Sequence, residues 1–289
     1  MTSLDRRESL VRAVLLLAAF SAVSVLAVIT VFIFVEGTPI MFRRGVGQFL
    51  FGQDWFPGEG RFGLLPMIIG SVQVTLGALL IGVPFALACA VFLTEFSSPR
   101  LRRILKPVIE LLAGIPSVVY GFIGVIVLVP FIRDNLGGPG FSVLTASIVL
   151  GIMILPTVIS ISIDALQALP PSYREGALAM GATRWQTVRM VLLPSARSGI
   201  VASIILGMGR AVGETMAVIM IAGNAASIPR SPLEPVRTLT SNIALEMSYA
   251  SGEHREALFA TGVILFIIIM VLNTVANLSS SRRGRERKG

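Results

Sequence analysis

Charged side chains are scarce in this sequence. Asp, Glu, Lys and Arg make up 14% of its 289 residues, whereas they are about a quarter of a typical soluble domain. Cysteine and histidine occur once each, as Cys89 and His254. A single cysteine excludes a disulfide or a cysteine metal cluster within the chain. A membrane-embedded enzyme would need a cluster of His, Asp or Cys near an interface, and the sequence has none. The lack of charge excludes a soluble globular domain and predicts a membrane protein without a metal site.

Long hydrophobic runs take the place of the missing charge. A bilayer core about 30 Å thick is crossed by about 20 apolar residues in a helix, and six runs of that length are present. They cover residues 11–35, 64–93, 108–132, 141–163, 198–223 and 257–278. The first run is too long for a signal peptide and has no small-x-small cleavage site after it. We therefore predict an all-α polytopic membrane protein with about six transmembrane helices.

The distribution of Lys and Arg predicts the orientation in the membrane. With six helices, sixteen of these residues lie in segments on one side and seven on the other. Because positively charged loops remain in the cytoplasm, both termini are predicted to be cytoplasmic. The chain then divides into a cytoplasmic N-terminus (1–10), a first helix (11–35), an outer loop (36–63), a core of five helices (64–278) and a basic cytoplasmic tail (279–289). The net charge of +8 is assigned to topology and lipid headgroups rather than to nucleic acid.

Two outer loops are long enough to carry structure. The loop 36–63 is rich in glycine and aromatic residues, which is typical of a belt at the membrane interface; docking of an external partner is the alternative. The loop 224–256 contains the stretch LTSNIALEM. Its apolar spacing predicts a short amphipathic helix that lies on the outer face.

The cytoplasmic loop 164–197 contains two helix-start signals. Ser172 and Glu175 have the spacing of a capping box, so a helix is predicted from about Tyr173. Gly181 then interrupts the run, and a second capping box at Thr183 and Gln186 predicts another helix toward Leu193. The apolar side chains on the outward face of this helix–turn–helix are Tyr173, Ala177, Leu178, Met180 and Trp185. Because apolar groups are not normally left in water, this face is predicted to dock against a partner or its own bundle.

The same loop resembles the EAA loop of ABC-importer permeases, whose pattern is E-A-A, three residues, G, nine residues and I-x-L-P. The matching residues are Glu175, Gly176, Ala177, Gly181, Val191, Leu193 and Pro194. Gly176 and Val191 depart from the pattern but keep the side chain small or β-branched. The resemblance implies that the first short helix, which includes Tyr173 and Arg174, sits in a groove of a partner ATPase and transmits its movement to the membrane helices.

Most of the chain also resembles the PstC family of phosphate-importer permeases. The segments that carry the resemblance are 36–39 (EGTP), 60–71 (GRFGLLPMIIGS), 109–121 (IELLAGIPSVVYG) and 209–218 (GRAVGETMAV). The resemblance implies the type I, MetI-like fold of ABC-importer permeases. It also implies ATP-driven import of inorganic phosphate by alternating access across the cytoplasmic membrane of a prokaryote.

This resemblance further implies the partners of the chain. They are a second permease (PstA-like), two copies of an ATPase (PstB-like) and an external phosphate-binding protein (PstS-like). ATP and Mg would be bound by the ATPase, and this chain itself would hold no cofactor. The sequence agrees, since the phosphate-binding pattern G-x-x-x-x-G-K-[ST] is absent.

Arg210 and Glu214 are charges inside the fifth hydrophobic run. Arginine keeps its charge and matches two oxygens of a phosphate, and Glu214 at i+4 would share a helical face with Arg210. The two residues are either a neutralising pair or an anion contact, in which Glu214 accepts a hydrogen bond from a protonated phosphate oxygen. Gly209 and Gly213 have the spacing that lets a second helix approach closely.

Three further residues complete the predicted substrate pathway or its surroundings. Glu110 would open the third run, either in the pathway or as an interfacial acid near Lys106. Ser117 and Tyr120 have hydroxyls that can donate to an anion, although a serine in a membrane helix often bonds its own backbone. Other functions remain open, namely a permease for another oxyanion such as molybdate or phosphonate, or a secondary anion transporter.

Overall fold

The computed structural model describes the backbone of residues 3–285 and the side chains of residues 11–274. The helices before residue 140 are α1 (Ser3–Arg44), α2 (Val46–Phe51), α3 (Leu65–Val91), α4 (Pro99–Ala113), α5 (Ser117–Ile123) and α6 (Val129–Leu136). Those after it are α7 (Val143–Gln167), α8 (Pro171–Ala179), α9 (Arg184–Gln186), α10 (Leu193–Ser195), α11 (Arg197–Gly213), α12 (Met216–Ile221), α13 (Leu239–Glu246) and α14 (Gly252–Arg285). A short antiparallel hairpin is formed by β1 (Trp55–Phe56) and β2 (Arg61–Phe62).

Five of the described helical segments are long and apolar enough to cross a membrane. They are Val11–Arg44, Leu65–Phe96, Ser117–Leu136, Val143–Gln167 and Gly252–Thr274. A sixth is obtained when Arg184–Ser195 and Arg197–Gly213, which are bent by 72°, are taken as one broken span. The prediction of an all-α protein with about six membrane helices is confirmed, with the fifth of these helices broken.

The helix bounds differ from the predicted ranges at both ends of the chain and in the third span. The helix α1 continues to Arg44, inside the expected outer loop 36–63. In the third span, α4 ends at Ala113 and the crossing helix begins only at Ser117, because Pro116 disfavours a helical conformation at the residue before it. The last helix reaches Arg285, inside the expected tail 279–289, whose residues 286–289 lie outside the described part of the chain.

The centre of the bundle is the pair α3 and α7, with α11 packed on α7 and α1 packed on α14. Small residues allow the two central helices to approach closely. A Cβ placed on Gly77 would lie 2.2 Å from Ser147 Oγ, and one on Gly82 would lie 2.7 Å from the Gly151 carbonyl oxygen. Helices in lipid associate through such close packing, because apolar burial alone does not distinguish a neighbouring helix from a lipid tail.

A buried acid organises the end of the bundle that holds the hairpin and α13, here called the far end. Glu246 Oε2 accepts a hydrogen bond from Trp55 Nε1 at 2.8 Å and pairs with His254 Nε2 at 2.7 Å. Its Oε1 pairs with Arg237 Nη1 at 2.6 Å. These four residues, the Glu246 network, join the hairpin, the loop before α13 and the start of α14.

The far end is more deeply packed than the sequence predicts. The aromatic loop is only partly an interfacial belt, since Phe42, Phe51 and Phe56 are exposed while Phe49 and Trp55 are buried. The helix predicted in LTSNIALEM is present as α13, but it does not lie on the surface as expected. Its first four residues are buried, because α13 packs against α14 and α3.

Candidate functional site

The segment 171–195 forms the predicted helix–turn–helix at the other end of the bundle, here called the coupling end. The turn contains Gly181 in the left-handed region (φ +82°), which glycine adopts without steric cost. The capping box of Thr183 and Gln186 is present in both directions. The capping box predicted at Ser172 is wrong, because α8 already begins at Pro171 and no side chain caps its first turn. Proline at the first helical position replaces the cap, since its missing N–H needs no acceptor.

The helix α8 and the turn after it present apolar side chains that nothing in the described chain covers. Met180 is 89% exposed, and Tyr173, Leu178 and Trp185 are each about half exposed. Ala177 is the exception among the predicted face, because it is half-buried. Of the other residues of the EAA-like pattern, Val191 and Leu193 are half-buried, and the exposed ones are Glu175, Gly176, Gly181 and Pro194. Exposed apolar patches of this kind occur at protein–protein interfaces, at membrane-contact sites and in ligand-binding grooves.

Arg174 does not belong to this exposed face. Its guanidinium points into the bundle, where it pairs with Glu95 (Nη2 to Oε1, 2.7 Å) and donates to the Leu166 carbonyl oxygen at 2.9 Å. The assignment of Arg174 to the ATPase-coupling residues stays a prediction, and the structure adds that its side chain contacts the bundle and not the exposed face. The EAA-like pattern indicates which residues share the loop but not which way each side chain turns.

Arg210 and Glu214 do not form the expected pair. The helix α11 ends at Gly213, and the extended backbone of Glu214 (ψ 127°) turns the chain out of the helix. Glu214 Oε1 instead accepts a hydrogen bond from the Ala217 N–H at 3.0 Å, at the start of α12. Arg210 makes a single hydrogen bond within the described chain, from Nη2 to the Ala113 carbonyl oxygen at 3.5 Å.

This contact brings two helix breaks together. Ala113 is the last residue of α4, and the break 114–116 separates it from α5. Beyond the breaks, α12 packs against α5, and a Cβ on Gly121 would lie 3.0 Å from Ala217 Cα. The two breaks, residues 113–117 and 210–216, are here called the paired-break site. Unwound backbone inside a membrane bundle is tolerated only where protein or a water-filled cavity satisfies it.

The remaining predicted pathway residues flank the paired-break site in different ways. Ser117 is half-buried and begins α5. Glu110 is exposed and belongs to α4, so it does not open a membrane span. Lys106 pairs with Asp164 at 3.3 Å, not with Glu110. The Tyr120 hydroxyl donates a hydrogen bond to the Leu112 carbonyl oxygen at 2.9 Å. Its one proton is therefore already used and is not free to bind an anion.

The far end reaches the paired-break site through α13. Thr240 donates its hydroxyl to the Glu214 carbonyl oxygen at 3.0 Å, so the first turn of α13 holds the unwound backbone. Gly209 and Gly213 lie on the helix before the break, and a Cβ added to either of them would meet no atom of the described chain within 4 Å. The close helix approach expected at these glycines is therefore not made within this chain.

The sequence interpretation missed Glu95, Trp55, Glu246 and His254. Glu95 and Glu246 are acids with largely buried side chains (12% and 8% exposed), and each has an arginine partner. An acid at the end of an apolar run was the available signal for Glu95. For Glu246 no local pattern was available, because its partners come from three separate segments.

Comparison with known proteins places the chain among transport permeases. Residues 82–285 match the family of binding-protein-dependent transport system inner membrane components. The chain is 45% identical over 263 residues to the probable ABC transporter permease YqgH of Bacillus subtilis, covering 88% of this chain and 85% of that protein. It is 38% identical over 256 residues to the phosphate transport system permease PstC of Haemophilus influenzae, covering 82% and 81%.

The fold agrees with these relatives. A chain of a bacterial ABC transporter involved in the import of alginate superimposes with a TM-score of 0.66, at 17% identity and 96% coverage of both chains. The predicted type I, MetI-like fold of ABC-importer permeases is thereby confirmed. The chain belongs to the family of binding-protein-dependent transport system inner membrane components and, within it, to the group that includes the PstC permeases.

Proposed function

We propose that this chain is a permease subunit of an ATP-driven importer of inorganic phosphate. The observation that carries the proposal is Arg210, a half-buried guanidinium held at the paired-break site by one long hydrogen bond of 3.5 Å. A guanidinium has five donors that match the oxygens of phosphate in pairs. The names of the PstC relatives support phosphate as the cargo.

The charge of Arg210 addresses the main physical obstacle to transport. Moving an unpaired phosphate anion out of water costs many kcal/mol, and a fixed cation inside the bundle offsets part of this cost. No carboxylate of the described chain neutralises Arg210 at salt-bridge distance. Because one of its five donors bonds to the Ala113 carbonyl oxygen, the other donors of Arg210 can bind an arriving anion. In this proposal Glu214 and Ser117 line the same path, and Glu110 lies at its margin.

The proposal assigns the coupling end to the cytoplasm. The exposed apolar face of α8 then docks on an ATPase (PstB-like). This ATPase is present in two copies and binds ATP and Mg. A second permease (PstA-like) packs against the uncovered glycines of α11, where small residues favour close helix contact. An external phosphate-binding protein (PstS-like) delivers the cargo at the far end. Both chain termini lie in the cytoplasm, as the excess of Lys and Arg predicts.

The test is uptake of labelled phosphate by vesicles that contain the complete importer. Replacing Arg210 with Gln removes a charge-assisted contact, so uptake is expected to fall by about 10- to 100-fold. Arg210→Lys keeps the charge but loses the paired donors, so its uptake is expected to lie between that of the wild type and that of Arg210→Gln. Arg103→Gln is the matched control, because Arg103 is exposed on α4.

Three results would contradict the proposal. Unchanged uptake in Arg210→Gln would remove Arg210 from the path. Uptake of molybdate or a phosphonate in place of phosphate would identify another oxyanion as the cargo, and uptake without the ATPase subunits would indicate a secondary transporter.

A further inference from the structure

The coupling helix α8 is fastened to the membrane bundle by one side chain. Arg174 binds the Glu95 carboxylate through Nη2 (2.7 Å to Oε1) and through Nε (3.1 and 3.2 Å to the two oxygens). The same Nη2 also donates to the Leu166 carbonyl oxygen. The two side chains are 27% and 12% exposed. A two-point, partly desolvated pair fixes geometry far better than an ordinary surface ion pair.

These partners belong to the two central helices. Leu166 is in the last turn of α7. Glu95 lies in the π turn Phe92–Phe96 that extends α3, where Arg102 of α4 also donates to the Leu93 carbonyl oxygen at 2.6 Å. Because α3 and α7 pack along each other, Arg174 connects α8 to a single body, here called the α3–α7 body.

The other attachments of α8 are two non-helical linkers and one packing contact. Non-helical linkers flank the helix at residues 168–170 and 180–183, and the second contains Gly181. Its packing partner is the π turn Thr187–Leu192. Within the described chain, Arg174 has the only side chain of α8 that makes a hydrogen bond. Without this contact, the attachments of α8 that remain are its packing on this π turn and the two linkers.

We propose that Arg174 and Glu95 are a positioning pair that sets the angle of the coupling helix relative to the α3–α7 body. A push on α8 then moves the α3–α7 body instead of bending the two linkers. Arg174 thus acts from inside the bundle, while the exposed face of α8 receives the partner. The inference rests on the proposed docking of α8 to an ATPase, and it adds the element that carries the movement onward.

Glu95→Gln is the decisive variant, because it weakens the pair without changing α8. The complete importer is reconstituted with its ATPase and binding protein, and phosphate uptake and ATP hydrolysis are measured in the same vesicles. We expect normal assembly, continued hydrolysis and about tenfold less phosphate imported per ATP. Arg174→Gln is expected to behave in the same way, and Arg174→Lys to recover part of the ratio. Asp164→Asn is the matched control, because its pair with Lys106 is exposed and does not involve α8.

A distance measurement tests the angle itself. Spin labels are placed at the exposed positions Ser172 and Arg100, with Cys89 replaced by Ala. The distance distribution is expected to be narrow in the otherwise unchanged complex and broad in Glu95→Gln. This readout does not depend on the cargo, so a wild-type complex that fails to import phosphate contradicts the proposed function without deciding the role of the pair.

Two outcomes would overturn the positioning role. One is an unchanged ratio of phosphate to ATP together with an unchanged distance distribution in Glu95→Gln. The other is loss of the assembled complex in both Glu95→Gln and Arg174→Gln, which would make the pair a requirement for folding instead of a device for coupling.

Discussion

Replacing Glu246 with Gln tests whether the Glu246 network holds the far end together. Glutamine keeps the shape of the side chain but removes its charge and turns one acceptor into a donor. In the native protein the Glu246 side chain is 8% exposed. Its carboxylate oxygens are hydrogen-bonded to Arg237, His254 and Trp55 at 2.6, 2.7 and 2.8 Å. The variant leaves the half-buried Arg237 without its counter-charge and at least one donor facing an NH₂ group.

The size of the effect follows from these contacts. A hydrogen bond to a charged group contributes about 1.5–3 kcal/mol, and an unsatisfied buried donor costs about 1–3 kcal/mol. We therefore expect the free energy of unfolding to fall by about 3 kcal/mol. For a chain of this size such a change lowers the melting temperature by roughly 6–12 °C.

The measurement is thermal unfolding of the purified full chain in detergent, with hydrogen exchange of the hairpin as a local readout. Glu256→Gln is the matched control, because Glu256 pairs with Arg43 at an exposed position of the same end. Exposed pairs contribute about 0–1 kcal/mol, so the control should shift the melting temperature by about 4 °C or less. Equal shifts in the two variants, with no faster exchange at Trp55 in Glu246→Gln, would refute the reasoning.

Two pairs of glycine variants test the backbone and packing arguments. Gly181→Ala places a side chain at φ +82° in open space and is expected to cost about 1 kcal/mol from backbone strain. Gly176→Ala in helical α8 should instead stabilise that helix by a similar amount. Opposite changes in the hydrogen exchange of α8 in the two variants would verify this, and equal changes would contradict it. Gly37→Ala would bring a Cβ to 2.7 Å from the Ala260 backbone nitrogen, while Gly262→Ala meets nothing closer than 3.6 Å. Gly37→Ala should lower the free energy of unfolding by about 1–3 kcal/mol through overpacking, and Gly262→Ala by much less. A lower melting temperature for Gly262→Ala than for Gly37→Ala would refute the close contact of α1 with α14.

Features with a local cause were predicted correctly. The length of apolar runs indicated about six membrane helices, since a helix must match the bilayer thickness. The turn at Gly181 and the capping box of Thr183 and Gln186 depend on a few neighbouring residues, so their pattern was sufficient. The capping box at Ser172 failed because Pro170 and Pro171 start the helix without a side-chain cap.

The candidate site was predicted only in part. The stretch 209–218 identified Arg210 and Glu214, but the assumption of an unbroken helix placed them on one face. The helix breaks at Glu214, whose carboxylate bonds to the start of α12 and not to Arg210. Tertiary contacts stabilise the break: Thr240 holds the Glu214 carbonyl, and α12 packs on α5. A propensity argument cannot reveal this break, since nothing in the run 198–223 except its glycines disfavours a helix.

Composition and short-range spacing were enough to establish the class of molecule: a charge-poor chain that crosses the membrane about six times and carries a short helix with an exposed apolar face. What the buried charges do depends on the three-dimensional packing, because their partners are far apart in sequence. Arg174 meets Glu95 across 79 residues, Arg210 meets Ala113 across 97, and Trp55 meets Glu246 across 191. Such pairs form because a charge or N–H removed from water requires a partner, and the arrangement of the helices determines which partner is within reach.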